Sequence, residues 1–312
     1  MNLGAVATLA CITSCAQTQS ASRPVPRMQA LRLPHHEISF RRNGVELTRF
    51  HFDPQDKCPF LYPVNGPSGR SLTRMGHPHD PVTQSHDNSL WLTHHDVNGV
   101  SFWEDRGPAQ IRCERVEHFE DGDESAMATV ANFWSTTNKT LLRERRRMTV
   151  KSLPRDEWML VPDIRREKQN EAVTLGNTSI GLVAVRMARS LGVNDGGGMI
   201  RNSEGGVNEA GVFWKRARWV DYSGAVTSNA VEGITLFDHP ANPNHPSCFH
   251  VRNDGWMGAA LTFDAARLIE TNKPRQLRYA LYVHSGLSTP GDLNERWAEF
   301  GKAALPDLTG RQ

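Results

Sequence analysis

Long hydrophobic runs are absent from this 312-residue sequence: no segment has the roughly 18 consecutive apolar residues that a membrane-spanning helix needs. A charge excess is absent too, because 36 Lys and Arg residues are balanced by 34 Asp and Glu residues. The five cysteines include no C-x-x-C pair, the spacing that a thiolate zinc site would need. These absences argue against a helical membrane protein, a nucleic-acid partner and a zinc-ribbon domain.

The composition that remains is that of a globular protein rich in histidine. Hydrophobic residues make up 38% of the chain, which is enough for a sizeable core. Three widely spaced cysteines, Cys58, Cys113 and Cys248, predict either one disulfide among them or buried free thiols. The 13 histidines can act near neutral pH as acids, bases or ligands, and the 8 tryptophans can stack on sugar rings.

The N-terminus has the features of a targeting segment. Residues 1–14 are small and apolar, and Ile12-Thr13-Ser14-Cys15 resembles the bacterial lipobox, in which the cysteine carries the lipid. We therefore expect a signal peptide at 1–15, a lipid anchor at Cys15 and a flexible tether at 16–30, rich in Gln, Ser and Pro. The alternative is a disordered tail. An exported protein with this anchor is expected to be a periplasmic or outer-membrane lipoprotein.

Residues 31–312 predict one domain made of β-strands. Apolar and aromatic runs alternate with turn residues, and the type I′ turn pairs Asn43-Gly44 and Asn98-Gly99 predict hairpins. A helix is predicted only at the end, where Thr289 is an N-cap, Pro290 follows it and Asp292 completes a capping box. No repeat and no linker divides the chain. The predicted fold is all-β, a large antiparallel β-sandwich with a short C-terminal helix.

The first of three polar segments is dense in histidine and aspartate. Eight such residues lie between His77 and Asp96, among them His86. His94 and Asp96 are two apart on a predicted strand, so we expect both on one face, as a metal site or as an imidazole oriented by a carboxylate. Ordinary loop histidines bonded to the backbone are the alternative.

The other two segments lie in the second half of the chain. Residues 213–222 interleave aromatic and cationic side chains, which suit a hydroxyl-rich or acidic ligand, although an ion-paired outer strand face would look the same. Residues 237–250 form a proline-rich loop whose histidines could complete a site begun by His94 and Asp96, or could merely shape a long turn.

Four segments resemble a known bacterial family: "PFLYPVNGPSG", "SLWLTHHDVNGVSFW", "NSEGGVNEAGVFWKRARWVDYSG" and "GITLFDHPANPNHP". They are similar to the family catalogued as "methane oxygenase PmoA", over about 33–284. That resemblance implies carbohydrate metabolism, by the family's association with sugar oxidoreductases and isomerases. The sequence departs from the family at His86-Asp87-Asn88, where the family reads His-His-Arg, so the activity of this member is in question.

The predicted function is that of an exported carbohydrate-active protein that uses His and Asp in acid–base chemistry on a sugar, as an epimerase, mutarotase or lyase, without cofactor or metal. Length and β pattern resemble the galactose mutarotase-like supersandwich. The alternatives are a non-catalytic carbohydrate-binding lipoprotein and a metal-dependent oxygenase, as the family name suggests. The predicted catalytic residues are His86, His94, Asp96, Asp238 and His239, and the predicted substrate-binding residues are Asn98, Lys215, Arg218, Trp219, Tyr222, His245 and His250.

Overall fold

The computed structural model describes residues 1, 24–80, 82–167, 171–271 and 274–309. The predicted lipobox at Cys15 and the first part of the predicted tether lie outside the described residues. The first strand begins at Met28, within the segment predicted to be a tether, because Met28 and Ala30 are buried in the core. Among the described residues, no helix is long and apolar enough to cross a membrane.

Strands account for most of the regular structure. In chain order they are β1 (Met28–Leu33), β2 (Glu37–Arg42), β3 (Val45–His51), β4 (Phe60–Val64), β5 (Leu90–His94), β6 (Gln110–Glu120), β7 (Ser125–Ser135), β8 (Thr140–Ser152), β9 (Trp158–Arg166), β10 (Val173–Leu175), β11 (Gly181–Arg186), β12 (Met199–Asn202), β13 (Lys215–Arg216), β14 (Trp219–Thr227), β15 (Ala230–Asp238), β16 (Cys248–Arg252), β17 (Trp256–Ala260), β18 (Arg267–Ile269) and β19 (Arg275–Ser285). The helices are α1 (Val193–Gly196), α2 (Asn208–Val212) and α3 (Pro290–Lys302).

Two large antiparallel sheets form the body of the domain. Within the described residues, one sheet has nine strands in the order β1-β2-β3-β4-β5-β11-β17-β16-β13. The other has eight, in the order β12-β14-β15-β19-β9-β8-β7-β6, and β10 pairs with β18 separately. Buried apolar side chains from both large sheets belong to one hydrophobic cluster, as expected for a sandwich. The prediction of a large antiparallel β-sandwich with a C-terminal helix is confirmed.

Local sequence explains the predicted turns and the helix. Asn43 and Gly44 both have positive φ, as a type I′ turn between β2 and β3 requires. Asn98 and Gly99 also have positive φ, but they close only an isolated bridge, because β5 has already ended at His94. The predicted capping box of α3 is present, with the Thr289 side chain accepting a hydrogen bond from the backbone N–H three residues later.

Helix α3 covers the outer face of the eight-stranded sheet. Leu293 and Phe300 of the helix pack in a second, smaller cluster with side chains of β9, β14, β15 and β19. The outer face of that sheet is therefore occupied by the chain's own helix. The corresponding face of the nine-stranded sheet is covered by loop residues from the region 71–104, and a cleft remains open there.

Candidate functional site

The cleft has a volume of about 400 Å³. Most of the residues that line it are ionisable, and two tryptophan rings are among them. The lining residues are His77, Asp80, Gln84, His86, Asp87, His95, Trp103, Glu104, Ile180, Arg186, His250, Arg252, Asp254 and Trp256.

Strand register brings one wall of the cleft together. Arg186 of β11 lies opposite Trp256 of β17, and Trp256 lies opposite Arg252 of β16. His250 lies two residues from Arg252 and therefore projects from the same face of the sheet. Strand β11 and the later hairpin of β16 and β17 thus present their side chains to one space.

Arg186 ties the loop wall to the strand wall. It is 3% exposed, and its Nε and Nη2 donate to Asp87 Oδ2 at 2.9 and 2.5 Å. Its Nη1 donates to Asp254 Oδ1 at 2.9 Å. Buried charges need such pairing, so the arginine and two carboxylates form a rigid base for the cleft.

Histidines flank this ion network. His77 Nε2 is 3.0 Å from Asp254 Oδ2, and His86 Nε2 is 3.6 Å from Asp87 Oδ1. Burial alone would raise the pKa of Asp254, but the Arg186 charge and the hydrogen bonds from His77 and Arg186 outweigh it and leave the pKa below its ordinary value. Each of these imidazoles therefore lies beside a carboxylate held by the same arginine.

Four rings form a continuous row through the cleft. His86 contacts Trp103 at a centroid distance of 6.3 Å, Trp103 contacts Trp256 at 5.5 Å, and Trp256 contacts His250 at 5.9 Å. Both tryptophans are almost fully buried, so they form the floor of the cleft. The two histidines stand at opposite ends of this row.

Two polar atoms of this row have unused hydrogen-bonding capacity. His250 Nδ1 and Trp256 Nε1 are buried without a hydrogen-bond partner in the described part of the chain. Burial lowers the pKa of His250 more than a backbone hydrogen bond to Ser179 raises it, so its imidazole is neutral at pH 7. Each of these two atoms can therefore form a further hydrogen bond with a ligand or water.

The structure brings two of the twelve sequence-predicted site residues into the cleft, His86 and His250. His94 projects from the other face of β5, where its Nε2 is 2.9 Å from Thr262 Oγ1. Asp96 follows the end of the strand and caps the turn by accepting from the Gly99 N–H at 2.8 Å. Since β5 ends at His94, the expected pairing of His94 and Asp96 on one strand face is not observed.

Asn98 and the residues of the second predicted segment serve other contacts. Asn98 Oδ1 accepts from the Thr174 N–H. Trp219 and Tyr222 are fully buried, and Tyr222 Oη lies 3.2 Å from the Asn253 carbonyl oxygen. Lys215 is exposed on β13, and Arg218 lies over the Trp297 ring at 5.1 Å.

The predicted loop residues 238–245 pack against helix α3. Asp238 Oδ2 is 2.8 Å from His245 Nδ1, and the His245 ring stacks on Trp297 at 5.7 Å. The His239 ring contacts Phe300 edge-on at 5.0 Å. Asp238, His239 and His245 do not line the cleft, because Asp238 ends a strand of the other sheet and α3 packs against the loop that follows it.

Several cleft residues were missed by the sequence analysis. Arg186 is the one charged residue of the strand GLVAVR, and a buried charge in an apolar strand is a signal that could have found it. Trp103, Trp256 and Asp254 have no comparable local signature. Among the described residues, no three His, Cys, Asp or Glu side chains are grouped closely enough to hold a metal ion.

Comparison with known proteins gives a family and distant structural likenesses. A family model described as "Family of unknown function (DUF6807)" matches residues 37–298, and that description does not include the methane oxygenase name. No curated protein matches the sequence. Similar solved structures include a galactose mutarotase-like protein from Lactobacillus casei ATCC 334, with 8% identity, a TM-score of 0.36, and coverage of 82% of this chain and 100% of that chain. The 4-alpha-glucanotransferase from Thermococcus litoralis has 9% identity and a TM-score of 0.31, covering 85% of this chain and 40% of that one. A TPR-domain containing protein from Parabacteroides distasonis ATCC 8503 has 8% identity and a TM-score of 0.30, covering 88% of this chain and 50% of that one.

Proposed function

The chain belongs to the family of unknown function DUF6807, and we propose from its cleft that it acts on a sugar or sugar derivative by proton transfer. The observation that carries the proposal is the row of rings that places His86 and His250 at opposite ends of a tryptophan floor. Proton-transfer enzymes that work on sugar rings need a base and an acid on different sides of the ring.

The two histidines differ in their surroundings, which suggests different roles. His250 is neutral at pH 7, because burial lowers its pKa, and so it can accept a proton. His86 lies beside Asp87, which Arg186 holds in place, and it is the group that returns a proton. In ring opening, the base takes the anomeric hydroxyl proton, the acid protonates the ring oxygen, and the C–O bond breaks as the carbonyl forms. One proton is taken up and one is given, so the reverse step restores both histidines.

The polar walls suit the recognition of hydroxyl groups. Hydroxyl-rich ligands need several directional donors and acceptors, and the cleft offers imidazole, carboxylate, guanidinium and amide groups around an apolar floor. The buried N–H of Trp256 is a donor that still needs an acceptor. We further propose that the protein is exported and that a lipid at Cys15, which lies outside the described residues, holds the domain at a membrane surface.

Proton exchange in deuterated buffer tests the proposal. A panel of aldoses, ketoses and uronic acids is incubated with the protein, and NMR follows anomeric interconversion and deuterium incorporation at carbon. We expect catalysis with at least one sugar, and a rate at least about 100-fold lower in His86→Gln and in His250→Gln. His118→Gln, which alters an exposed histidine on β6, is the matched control.

Binding is measured separately by thermal shift with the same panel. Sugar binding without turnover would replace the proposed enzyme with a carbohydrate-binding protein. The absence of both binding and turnover across the panel would refute the proposal.

A further inference from the structure

One aromatic side chain remains on the surface beside the cleft. Among the described residues, Trp214 is the only exposed Phe, Trp or Tyr, with 49% of its surface accessible. The other large rings near the cleft, Trp103 and Trp256, are nearly buried. An exposed indole offers a flat apolar surface with a polar N–H at its edge, which a ligand can cover.

The backbone at Trp214 is itself unusual. Its φ is +56°, in the left-handed region that bulky side chains seldom adopt. The conformation is held because the Trp214 N–H donates to the Phe249 carbonyl oxygen at 2.8 Å, just before the pairing of β13 with β16. Strained residues of this kind concentrate at ligand-binding sites, where the surrounding structure maintains them.

Ring contacts connect the exposed indole with the cleft. It stacks on Phe213 with a centroid distance of 4.5 Å and an interplanar angle of 21°, and it contacts Phe263 at 5.8 Å. Phe213 in turn contacts His250 edge-on at 5.1 Å. The row of rings that crosses the cleft therefore extends past His250 to an exposed aromatic surface.

Polar groups surround this surface as they surround the cleft. Arg252 lines the cleft and lies over the Phe213 ring at 5.4 Å. Lys215, the residue after Trp214, is exposed. A flat apolar ring with cationic donors at its rim matches the two sides of a pyranose, whose C–H face stacks and whose hydroxyls accept hydrogen bonds.

We propose that Trp214 forms a second sugar subsite, so that the ligand is a disaccharide or longer glycan with one ring in the cleft and the next ring on Trp214. This inference rests on the proposed function, because it assumes that the cleft holds a sugar. The inference adds two points to the proposed function: the ligand has at least two sugar rings, and Trp214 is the residue that favours such a ligand over a monosaccharide.

The test compares matched mono- and disaccharides by calorimetry: glucose against maltose, cellobiose and laminaribiose, and galactose against lactose. We expect one disaccharide to bind about tenfold more tightly than its monosaccharide, and Trp214→Gly to remove that difference while monosaccharide affinity stays the same. Glycine suits the positive φ at this position, so the variant keeps the backbone and its thermal midpoint should stay near that of the unaltered protein. Trp214→Tyr keeps a ring and should keep the preference, and Leu268→Ala, which alters another exposed apolar side chain, should have no effect.

Saturation-transfer NMR on the unaltered protein gives a second measurement that does not depend on a variant. Contact protons on both rings of the disaccharide support the subsite, and contacts on one ring only refute it. A disaccharide preference that survives Trp214→Gly, or a Trp214→Gly effect equal for both ligand classes, overturns the subsite alone. If no sugar of either class binds, the proposed function fails and the subsite fails with it.

Discussion

The buried imidazole of His94 makes the stability of the domain sensitive to acid, and the size of this effect can be calculated. His94 is fully buried, its Nδ1 accepts from the Asp96 N–H at 3.1 Å, and its Nε2 is therefore the protonated nitrogen that donates to Thr262. Burial, followed by the charge of Arg166, lowers the pKa of His94 from 6.5 to about 3. The ring is neutral in the folded protein throughout the physiological range.

The direction of the effect follows from proton linkage. Below about pH 6.5 the unfolded chain binds a proton at His94, whereas the folded chain does so only near pH 3. The stability that the neutral ring contributes is therefore complete above pH 6.5 and falls as the pH drops towards 3. Between pH 7.5 and pH 5 the loss from this one residue is about 2 kcal/mol.

Urea unfolding at pH 7.5 and pH 5 measures this loss. From pH 7.5 to pH 5, the free energy of unfolding of the unaltered protein should fall by about 2 kcal/mol more than that of His94→Gln. The control His118→Gln alters an exposed ring, and its free energy of unfolding should fall as much as that of the unaltered protein. NMR of the unaltered protein should show the His94 ring neutral at pH 5, a result that does not depend on whether the variant folds. Equal losses in all three proteins, or a protonated His94 ring at pH 5, would refute the calculation.

Three further predictions concern ion pairs and the helix cap. Arg186→Met leaves the buried carboxylate of Asp87 without its arginine partner, and urea unfolding should show a loss of about 3–5 kcal/mol in the free energy of unfolding. The control Arg189→Met removes an exposed arginine from an ion pair and should change this free energy by less than about 1 kcal/mol. Similar losses in both variants would refute the role of Arg186. The pKa of Asp254 is depressed, so the stability that its ionised carboxylate contributes is complete above the ordinary Asp range and is lost as the pH falls below that range. Asp254→Asn should therefore make the free energy of unfolding less dependent on pH below about pH 4, and an unchanged pH dependence would contradict this. Thr289→Ala removes the N-cap of α3 and should cost about 1 kcal/mol by thermal unfolding, and no loss would show that the cap is dispensable.

The architecture could be predicted from sequence because its signals are local. Alternation of apolar and polar residues identifies strands, the Asn43-Gly44 pair identifies a tight turn, and the capping box identifies the start of α3. Each of these signals depends on neighbouring residues and on backbone geometry alone. The sandwich follows once many such strands must bury their apolar faces.

The site could not be predicted in the same way, because β5 and β11 are buried on both faces. Alternation shows that Trp91 and His94 point to opposite sides of β5, but it does not show which side opens to a cleft. The sequence predicts His94 in the site, but the structure places Trp91 of the same strand against the tryptophan floor instead. Likewise, the loop that follows Asp238 is held near α3, because the Trp297 indole donates to the Asp238 carbonyl oxygen at 2.9 Å. No local sequence pattern shows this contact.

Asp87 is part of the base of the cleft. It follows His86 directly, and both residues line the cleft. In the structure Asp87 is 1% exposed and accepts two hydrogen bonds from Arg186, so the aspartate neutralises the guanidinium that joins the two walls of the cleft. Arg186 also pairs with Asp254, so two carboxylates balance its buried charge. Asp87 therefore supplies one of the two negative charges of the cleft base, and its Oδ1 lies 3.6 Å from His86 Nε2.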